Sequence, residues 1–208
     1  MLSLPGYVAD YLKNQLGLTD EEKEVALYSL QVIFYGLYAF LGAGLVGLFL
    51  GCLFPTLIIA VTIFILRCFS GGAHCNSPFG CILLSAVLIP LSGKLIITIA
   101  PLLSKYSQVT LIVFGFLVSF YVTWRLAPVD APAKPVSSES HRLQLKILSL
   151  FAVVFIFVLQ GVFLSFVRSP WTETAVLALE GGLFWQTFSL TKAGHRFFAL
   201  ADNFKMGG

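Results

Sequence analysis

Charged residues are scarce in this sequence of 208 residues: Asp, Glu, Lys and Arg make up 11% of it, and hydrophobic residues make up 58%. A soluble domain typically carries about 25% charged residues. The composition therefore excludes an ordinary soluble domain and predicts a polytopic integral membrane protein. The formal net charge of +3 is too small to indicate nucleic-acid binding, and no nucleic-acid partner is expected.

Cysteine is also sparse, and the four cysteines do not have the paired, evenly spread arrangement of disulfide-stabilised secreted domains. Free thiols are therefore predicted. The N-terminus lacks a basic region followed by an apolar core and a small-residue cleavage site, so no removable signal peptide is expected. No repeat of fixed period is visible, which argues against a transporter built from two similar halves.

Long apolar runs predict an all-α protein with about six transmembrane helices after an N-terminal amphipathic interfacial helix, residues 1–18. Thr19 and the acidic residues that follow it predict a capping box at the start of the first long helix. The second span is expected to be short, because only about thirteen apolar residues, or about 20 Å of helix, precede Arg67. The third span is expected to kink or split at Pro90. The predicted spans are residues 25–50, 54–66, 78–99, 109–124, 145–167 and 171–190.

The distribution of positive charge predicts the orientation in the membrane. If both termini are cytoplasmic, ten of the thirteen Lys and Arg residues lie on the cytoplasmic side, as the positive-inside rule requires. The same orientation places residues 67–81 and a proline-containing loop, residues 126–142, on the cytoplasmic face. The functional site is therefore expected to face the cytoplasm.

One polar stretch, residues 67–81, interrupts the apolar sequence with an arginine, a Gly-Gly pair, a histidine and three of the four cysteines. Cysteine catalysis needs a thiolate, a base or cation that generates it, and donors for the oxyanion that forms. Ser77 and Pro78 predict a helix start that places Cys81 in the first turn, where the helix dipole favours a thiolate and the amides can hold an oxyanion. His74 can reach this thiol if the preceding glycines fold the chain back.

The same residues allow other interpretations. Cys52 and Cys68 fit small packing residues of membrane helices, and Cys75 is not at a predicted helix start. Arg67 could bind a substrate carboxylate, or it could simply extend to the membrane surface. A zinc site formed by Cys68, His74, Cys75 and Cys81 would lack the usual CxxC pair, so no metal and no cofactor are predicted.

Two polar residues of the sixth predicted span are further candidates for the site. Glu180 lies near the middle of the span, where a carboxylate is costly unless it is neutral, paired or facing water. It could be a third catalytic group, a substrate contact or a structural residue. Gln186 could contact substrate, although joining helices by hydrogen bonds is the usual role of such a residue.

The run Arg67-x-x-x-Gly71-Gly72-x-His74 followed by Cys81 resembles the signature of the accessory gene regulator protein B (AgrB) family, membrane peptidases of bacterial peptide quorum sensing. Residues 127–135 resemble the proline-containing loop of that family, and residues 182–190 resemble its last helix. Two positions depart from the pattern. Ala73 stands where the family often has a larger residue, and Cys75 is an extra thiol, but neither change removes a catalytic group.

The resemblance implies a single membrane-embedded peptidase domain, residues 1–208, in the bacterial cell membrane. It implies that His74 and Cys81 cleave an AgrD-like precursor of an autoinducing peptide through an acyl-thioester, and that a side chain of the peptide then closes a thiolactone or lactone. The candidate substrate-binding residues are Arg67, Gly71, Gly72, Asp130, Lys134, Glu180 and Gln186.

The expected partners are this precursor and the lipid bilayer. The glycines at positions 42, 44, 47 and 51 also favour a homodimer, because small residues let membrane helices approach closely. The main alternative function is a membrane transporter or peptide-exporter subunit without peptidase activity. A broken third span and the buried Glu180 are the features that suggest it.

Overall fold

The computed structural model describes residues 4–73, 75, 78–129, 138–166 and 169–203. These residues form eight α-helices and one 3-10 turn, which confirms the all-α prediction. The helices are α1 (Leu4–Leu16), α2 (Asp20–Phe49), α3 (Leu53–Ser70), α4 (Pro78–Ile99), α5 (Lys105–Leu126), α6 (Glu139–Phe166), α7 (Pro170–Leu190) and α8 (Lys192–Asn203), with the 3-10 turn Ala100–Leu102 before α5.

The first helix boundaries follow local sequence signals as predicted. Gly17 ends α1 with a φ of 65°, a left-handed conformation that glycine adopts without steric cost. Thr19 caps α2: its Oγ1 accepts a hydrogen bond from the Glu22 N–H at 3.3 Å, and the Glu22 carboxylate accepts one from the Thr19 N–H at 2.9 Å. The predicted capping box is therefore confirmed.

A short second span and a split third span are both wrong expectations, whereas the kink expected at Pro90 stays a prediction. Helix α3 has 18 residues and ends at Ser70, so it is about 27 Å long and contains Arg67 in its last turn. The residues after Leu66 extend the helix because they include no helix breaker before Gly71. Helix α4 runs without a break through Pro90, since losing one backbone hydrogen bond is tolerated in a membrane helix.

Two boundaries in the second half of the chain also differ from the prediction. Helix α6 begins at Glu139, inside the predicted loop 126–142, where an acidic residue in the first turn suits the helix dipole. The last predicted span ends at residue 190, but the basic segment that follows it forms a further helix, α8 (Lys192–Asn203). Phe198 of this helix is buried and its ring lies 6.1 Å from that of Trp185, so aromatic packing holds α8 against α7.

Five helices, α2 to α6, are long and apolar enough to cross a membrane. Helix α7, the sixth predicted span, has 21 residues and is about 30 Å long, but it is more polar and is not one of these five. Twelve residues of α7 are buried, compared with two of the 30 residues of α2. Other helices therefore enclose α7, whereas α2 exposes its apolar surface.

Helices α3 and α7 pack against each other at the centre of the structure, and α7 also contacts α5 and α6. One apolar cluster joins Ile59 and Ile63 of α3 to Ala178 of α7, and another joins Leu66 of α3 to Leu183 of α7. The first cluster joins the middle of α3 to α7, and the second places the C-terminal end of α3 beside α7. This packing positions the polar stretch that follows α3.

Glycines allow α2 and α4 to approach α3 closely. A Cβ atom added at Gly47 or Gly93 would lie 2.7 or 2.8 Å from Thr56 Oγ1 of α3, and one added at Gly42 would lie 3.3 Å from Ala86 of α4. Small residues commonly mediate such contacts between membrane helices. Gly42 and Gly47 were part of the glycine pattern that favoured a homodimer, and packing within one chain accounts for both.

Candidate active site

Two glycines turn the chain at the end of α3. The Gly71 N–H donates to the Arg67 carbonyl at 3.0 Å, and Gly71 and Gly72 have φ values of 64° and 139°. Both values lie in the region that side chains rarely adopt. The chain therefore leaves the helix in a turn, Gly71–Ala73, that directly precedes His74.

The segment that follows α5 holds one side of this turn. The Val129 N–H donates to the Ser70 carbonyl at 2.9 Å, and a Cβ atom added at Gly71 would overlap the Val129 carbonyl oxygen. Only glycine fits at such a close backbone approach. The beginning of the proline-containing loop is therefore part of the support of the polar stretch. Asp130 and Lys134, predicted to contact substrate, lie outside the described residues.

The C-terminal end of α7 holds the other side of the turn. The Ala73 N–H donates to the Ser189 carbonyl at 3.0 Å, and Gln186 Nε2 donates to Ser70 Oγ at 2.9 Å and to the Gly71 carbonyl at 2.7 Å. A Cβ atom added at Gly72 would lie 2.6 Å from Ser189 Oγ. The turn is thus enclosed by backbone and side-chain contacts from two distant parts of the chain.

Arg67 connects this turn with the cysteines. Its guanidinium group donates to the Ala73 carbonyl, and its positive charge lies close enough to Cys81 and Cys75 to act on a thiolate at either position. The side chain is half-buried at the end of α3. Among the residues proposed for the site, the structure therefore brings together Arg67, Gly71, Gly72, Cys81 and Gln186.

Cys81 lies in the first turn of α4 and is partly exposed, as the helix-start prediction requires. The positive end of the α4 dipole is therefore close to this thiol. His74 and Ser77, the predicted base and helix cap, lie outside the described residues, so their placement relative to Cys81 stays a prediction.

The other three cysteines have different surroundings. Cys52 is buried at the start of α3, with its Sγ atom 3.3 Å from the Pro90 carbonyl oxygen, which agrees with a packing role. Cys68 is exposed on the last turn of α3, and Cys75 is partly exposed. All four are thiols rather than disulfides, as predicted. Within the described ranges, no three His, Cys, Asp or Glu side chains form a group that could hold a metal ion.

Glu180 lies in a different place, between α5, α6 and α7. The side chain is 1% exposed, its Oε2 atom accepts a hydrogen bond from Gln160 Nε2 at 2.9 Å, and its Oε1 atom lies against Gly115, where a Cβ atom would overlap it. Glu180 precedes Gln186 by six residues, or about 9 Å along the helix. Its partners are internal, so they favour the structural role over substrate contact.

A shallow groove of about 390 Å³ opens where α5, α7 and α8 meet. Its lining consists of two leucines, Leu126 and Leu190, and three basic or titratable side chains, Lys192, His195 and Arg196. Leu126 and Leu190 are next in sequence to the two segments that hold the Gly71–Ala73 turn. The side of the protein that carries the Gly71–Ala73 turn therefore has a basic surface at this groove.

Comparison with known proteins identifies the family. The sequence matches the Accessory gene regulator B (AgrB) profile over residues 6–190. It is 26% identical over 201 residues to AgrB-like protein 2 of Clostridium perfringens strain 13, covering 95% of this chain and 94% of the relative. It is 24% identical over 208 residues to an AgrB-like protein of Clostridium perfringens strain SM101, covering 97% and 96%. Neither name states an activity or a substrate, and no solved structure matches. The chain belongs to the accessory gene regulator B family of membrane proteins.

Proposed function

We propose that this AgrB-family protein is a membrane cysteine endopeptidase that cleaves an AgrD-like precursor and cyclises part of it to an autoinducing peptide for quorum sensing. The observation that best supports the proposal is the position of Arg67, which donates to the Ala73 carbonyl and whose charge lies within electrostatic range of Cys81 at the start of α4. A fixed positive charge beside a thiol at a helix N-terminus stabilises a thiolate, the nucleophilic form.

In the proposed first step, the Cys81 thiolate attacks a carbonyl carbon of the precursor. The peptide C–N bond breaks, the leaving amine takes a proton from His74, and the N-terminal part of the precursor stays on Cys81 as an acyl-thioester. The oxyanion that forms during the attack is stabilised by the Arg67 charge and by the positive end of the α4 dipole. In this mechanism Arg67 acts on the reacting atoms, and a separate role in binding a substrate carboxylate is not needed.

In the proposed second step, a thiol or hydroxyl group of the bound peptide attacks the thioester and gives its proton to His74. The new thioester or ester bond closes the ring, and the Cys81 thiolate is released. An intramolecular attack on an activated ester is favoured by a high effective concentration of the nucleophile. Exclusion of water by the surrounding helices would limit competing hydrolysis.

The thioester step can be tested with a precursor whose ring-forming cysteine or serine is replaced by alanine. This peptide cannot close the ring, so we expect the protein in lipid nanodiscs to release the C-terminal fragment and retain the N-terminal fragment as an adduct that hydroxylamine removes. Intact-protein mass spectrometry measures the adduct, and the unaltered precursor is the control that should yield a cyclic product. The acyl-thioester mechanism is contradicted if either peptide releases the C-terminal fragment while the alanine-substituted peptide leaves no adduct that hydroxylamine removes.

Two features of the sequence suggested a transporter or exporter subunit, and the structure does not contain the first of them, a broken third span. Helix α4 is continuous, whereas a broken span was expected to form a transport site. The second feature, Glu180, pairs with Gln160 of the neighbouring helix. No feature of the described residues favours transport over peptide cleavage, and we therefore propose a single function.

We also propose that the active site and both termini face the cytoplasm. The polar stretch, the end of α5 and the end of α7 are joined by hydrogen bonds, and Lys192 and Arg196 lie on the same side. Clustered basic residues mark the cytoplasmic side of a membrane protein.

Thiol labelling tests this orientation. In a variant that keeps only the exposed Cys68, we expect a membrane-impermeant maleimide to react in inside-out vesicles and not in right-side-out vesicles. Tyr106→Cys in a cysteine-free background is the matched control, because residue 106 is 87% exposed at the opposite end of the membrane helices. It should react in right-side-out vesicles only. The reverse pattern for the two variants would place the active site outside the cell.

A further inference from the structure

Gln186 forms a tertiary contact that the sequence does not reveal. Its side chain is 2% exposed, and it reaches from α7 to the last residue of α3 and the first residue of the glycine turn. We infer that Gln186 is a positioning residue, which holds the Gly71–Ala73 turn and thereby the backbone that leads into His74. This inference rests on the proposed peptidase function.

The hydrogen bonds define how the Gln186 amide is oriented. The Gly71 carbonyl can only accept, so the atom that faces it at 2.7 Å must be the nitrogen of the Gln186 amide. The second amide hydrogen is directed to Ser70 Oγ at 2.9 Å, and Ser70 Oγ itself donates to the Leu66 carbonyl at 2.8 Å. Both donor positions of the amide are therefore used, and the side chain has one defined orientation.

These contacts fix the turn at successive positions. Gln186 holds the Gly71 carbonyl, Ser189 of the same helix end holds the Ala73 N–H at 3.0 Å, and Val129 holds the Ser70 carbonyl at 2.9 Å from the other side. A catalytic group must be held to within about 0.5 Å of its productive geometry by surrounding residues. The residue that follows this turn is His74, the proposed base. Gln186 and Arg67, which donates to the Ala73 carbonyl, hold the turn through their side chains, whereas Ser189 and Val129 use backbone atoms.

The cost of burying Gln186 supports a specific role. Its Oε1 atom is buried and has no hydrogen-bond partner among the described residues. An unsatisfied buried polar atom costs about 1–3 kcal/mol. An apolar side chain of similar size would avoid this cost if packing between α3 and α7 were its only task. The two donated hydrogen bonds offset part of this cost and connect the side chain to the glycine turn.

Gln160 provides a matched control. Like Gln186, it is fully buried and donates two hydrogen bonds: one to Glu180 Oε2 at 2.9 Å and one to the Val176 carbonyl at 3.1 Å. Its Oε1 atom also has no hydrogen-bond partner among the described residues. Its contacts lie between α6 and α7 and do not touch the glycine turn. Gln160→Met and Gln186→Met therefore each remove two donated hydrogen bonds, at two different places, and one acceptor of Gln160 is the Glu180 carboxylate.

The test compares the two variants in lipid nanodiscs. We expect Gln186→Met to lower kcat for precursor cleavage on the order of 10-fold to 100-fold, with KM changed by less than about threefold, because a displaced catalytic group affects the chemical step more than binding. Hydrogen–deuterium exchange of the Ala73 amide should become at least about tenfold faster, since this amide loses the support of the turn. Gln160→Met should show neither change, and the melting temperatures of both variants, measured in parallel, report any general loss of stability.

Each outcome either supports or overturns the inference. If both variants lose kcat equally, or if exchange at Ala73 is unchanged in Gln186→Met, Gln186 has a general packing role and the inference is wrong. If Gln186→Met raises KM with kcat unchanged, the residue contacts substrate instead. Cys81→Ala is measured in parallel: if that variant still cleaves the precursor, the proposed function fails, whereas the exchange result still reports on the turn independently of cleavage.

Discussion

Cys81→Ala is expected to lower the release of the C-terminal precursor fragment by at least about 10³-fold, because it removes the proposed nucleophile. The thiol lies in the first turn of α4, at the positive end of the helix dipole and within electrostatic range of Arg67. Single-turnover cleavage of a labelled precursor by the protein in nanodiscs measures the effect. The adduct that hydroxylamine removes should disappear in the same variant.

Cys75→Ala is the matched control for this experiment. The Cys75 thiol also lies within electrostatic range of Arg67 and is also partly exposed, but it lies outside any helix. We expect its loss to change cleavage by less than about fivefold, or about 1 kcal/mol. If Cys75→Ala abolishes cleavage and Cys81→Ala does not, the nucleophile is Cys75, and the argument from the helix start is wrong.

Much of the fold follows from local signals in the sequence. The capping box at Thr19 and the helix start at Pro78 depend on residues a few positions apart, and both are found as predicted. Apolar runs located the long helices for a similar reason, because crossing a membrane requires about 20 apolar residues in succession. The errors at Arg67 and Pro90 arose where a polar residue or a proline was taken to end a helix that neighbouring helices support.

The surroundings of the glycine turn could not be predicted because its contacts are distant in sequence and use backbone atoms. Gln186 is separated from Ser70 by 116 positions. The Ser189 carbonyl and the Val129 N–H are backbone groups, so the residue types at positions 189 and 129 do not indicate these contacts. The sequence did single out Gln186, as a polar residue in an apolar segment, but it could not distinguish substrate contact from support of the turn. Glu180 shows the same limit, since its partner Gln160 lies on another helix.

Gly71→Ala is expected to lower cleavage on the order of 10²-fold, the loss that follows when a catalytic group is misplaced by about 1 Å. The added methyl group would overlap the Val129 carbonyl oxygen, which belongs to the backbone and cannot turn aside as a flexible side chain could. The backbone conformation of Gly71, with φ 64° and ψ −146°, is close to a region that essentially only glycine adopts, and it adds strain of about 1–3 kcal/mol for a residue with a Cβ atom. Either the glycine turn or the segment after α5 must therefore move, and His74 follows directly after the turn.

Gly51→Ala is the control that separates the backbone strain of a positive φ from the steric overlap with Val129. Gly51 has nearly the same φ, 68°, but a Cβ atom there would have no neighbour within 4 Å. We expect this variant to lose about 1–2 kcal/mol of stability and to keep its cleavage activity, because only the strain applies. Melting temperature and single-turnover cleavage are measured for both variants in nanodiscs. Equal losses of cleavage in the two variants, or normal cleavage by Gly71→Ala, would contradict a role for the contact between Gly71 and Val129 in holding the active site.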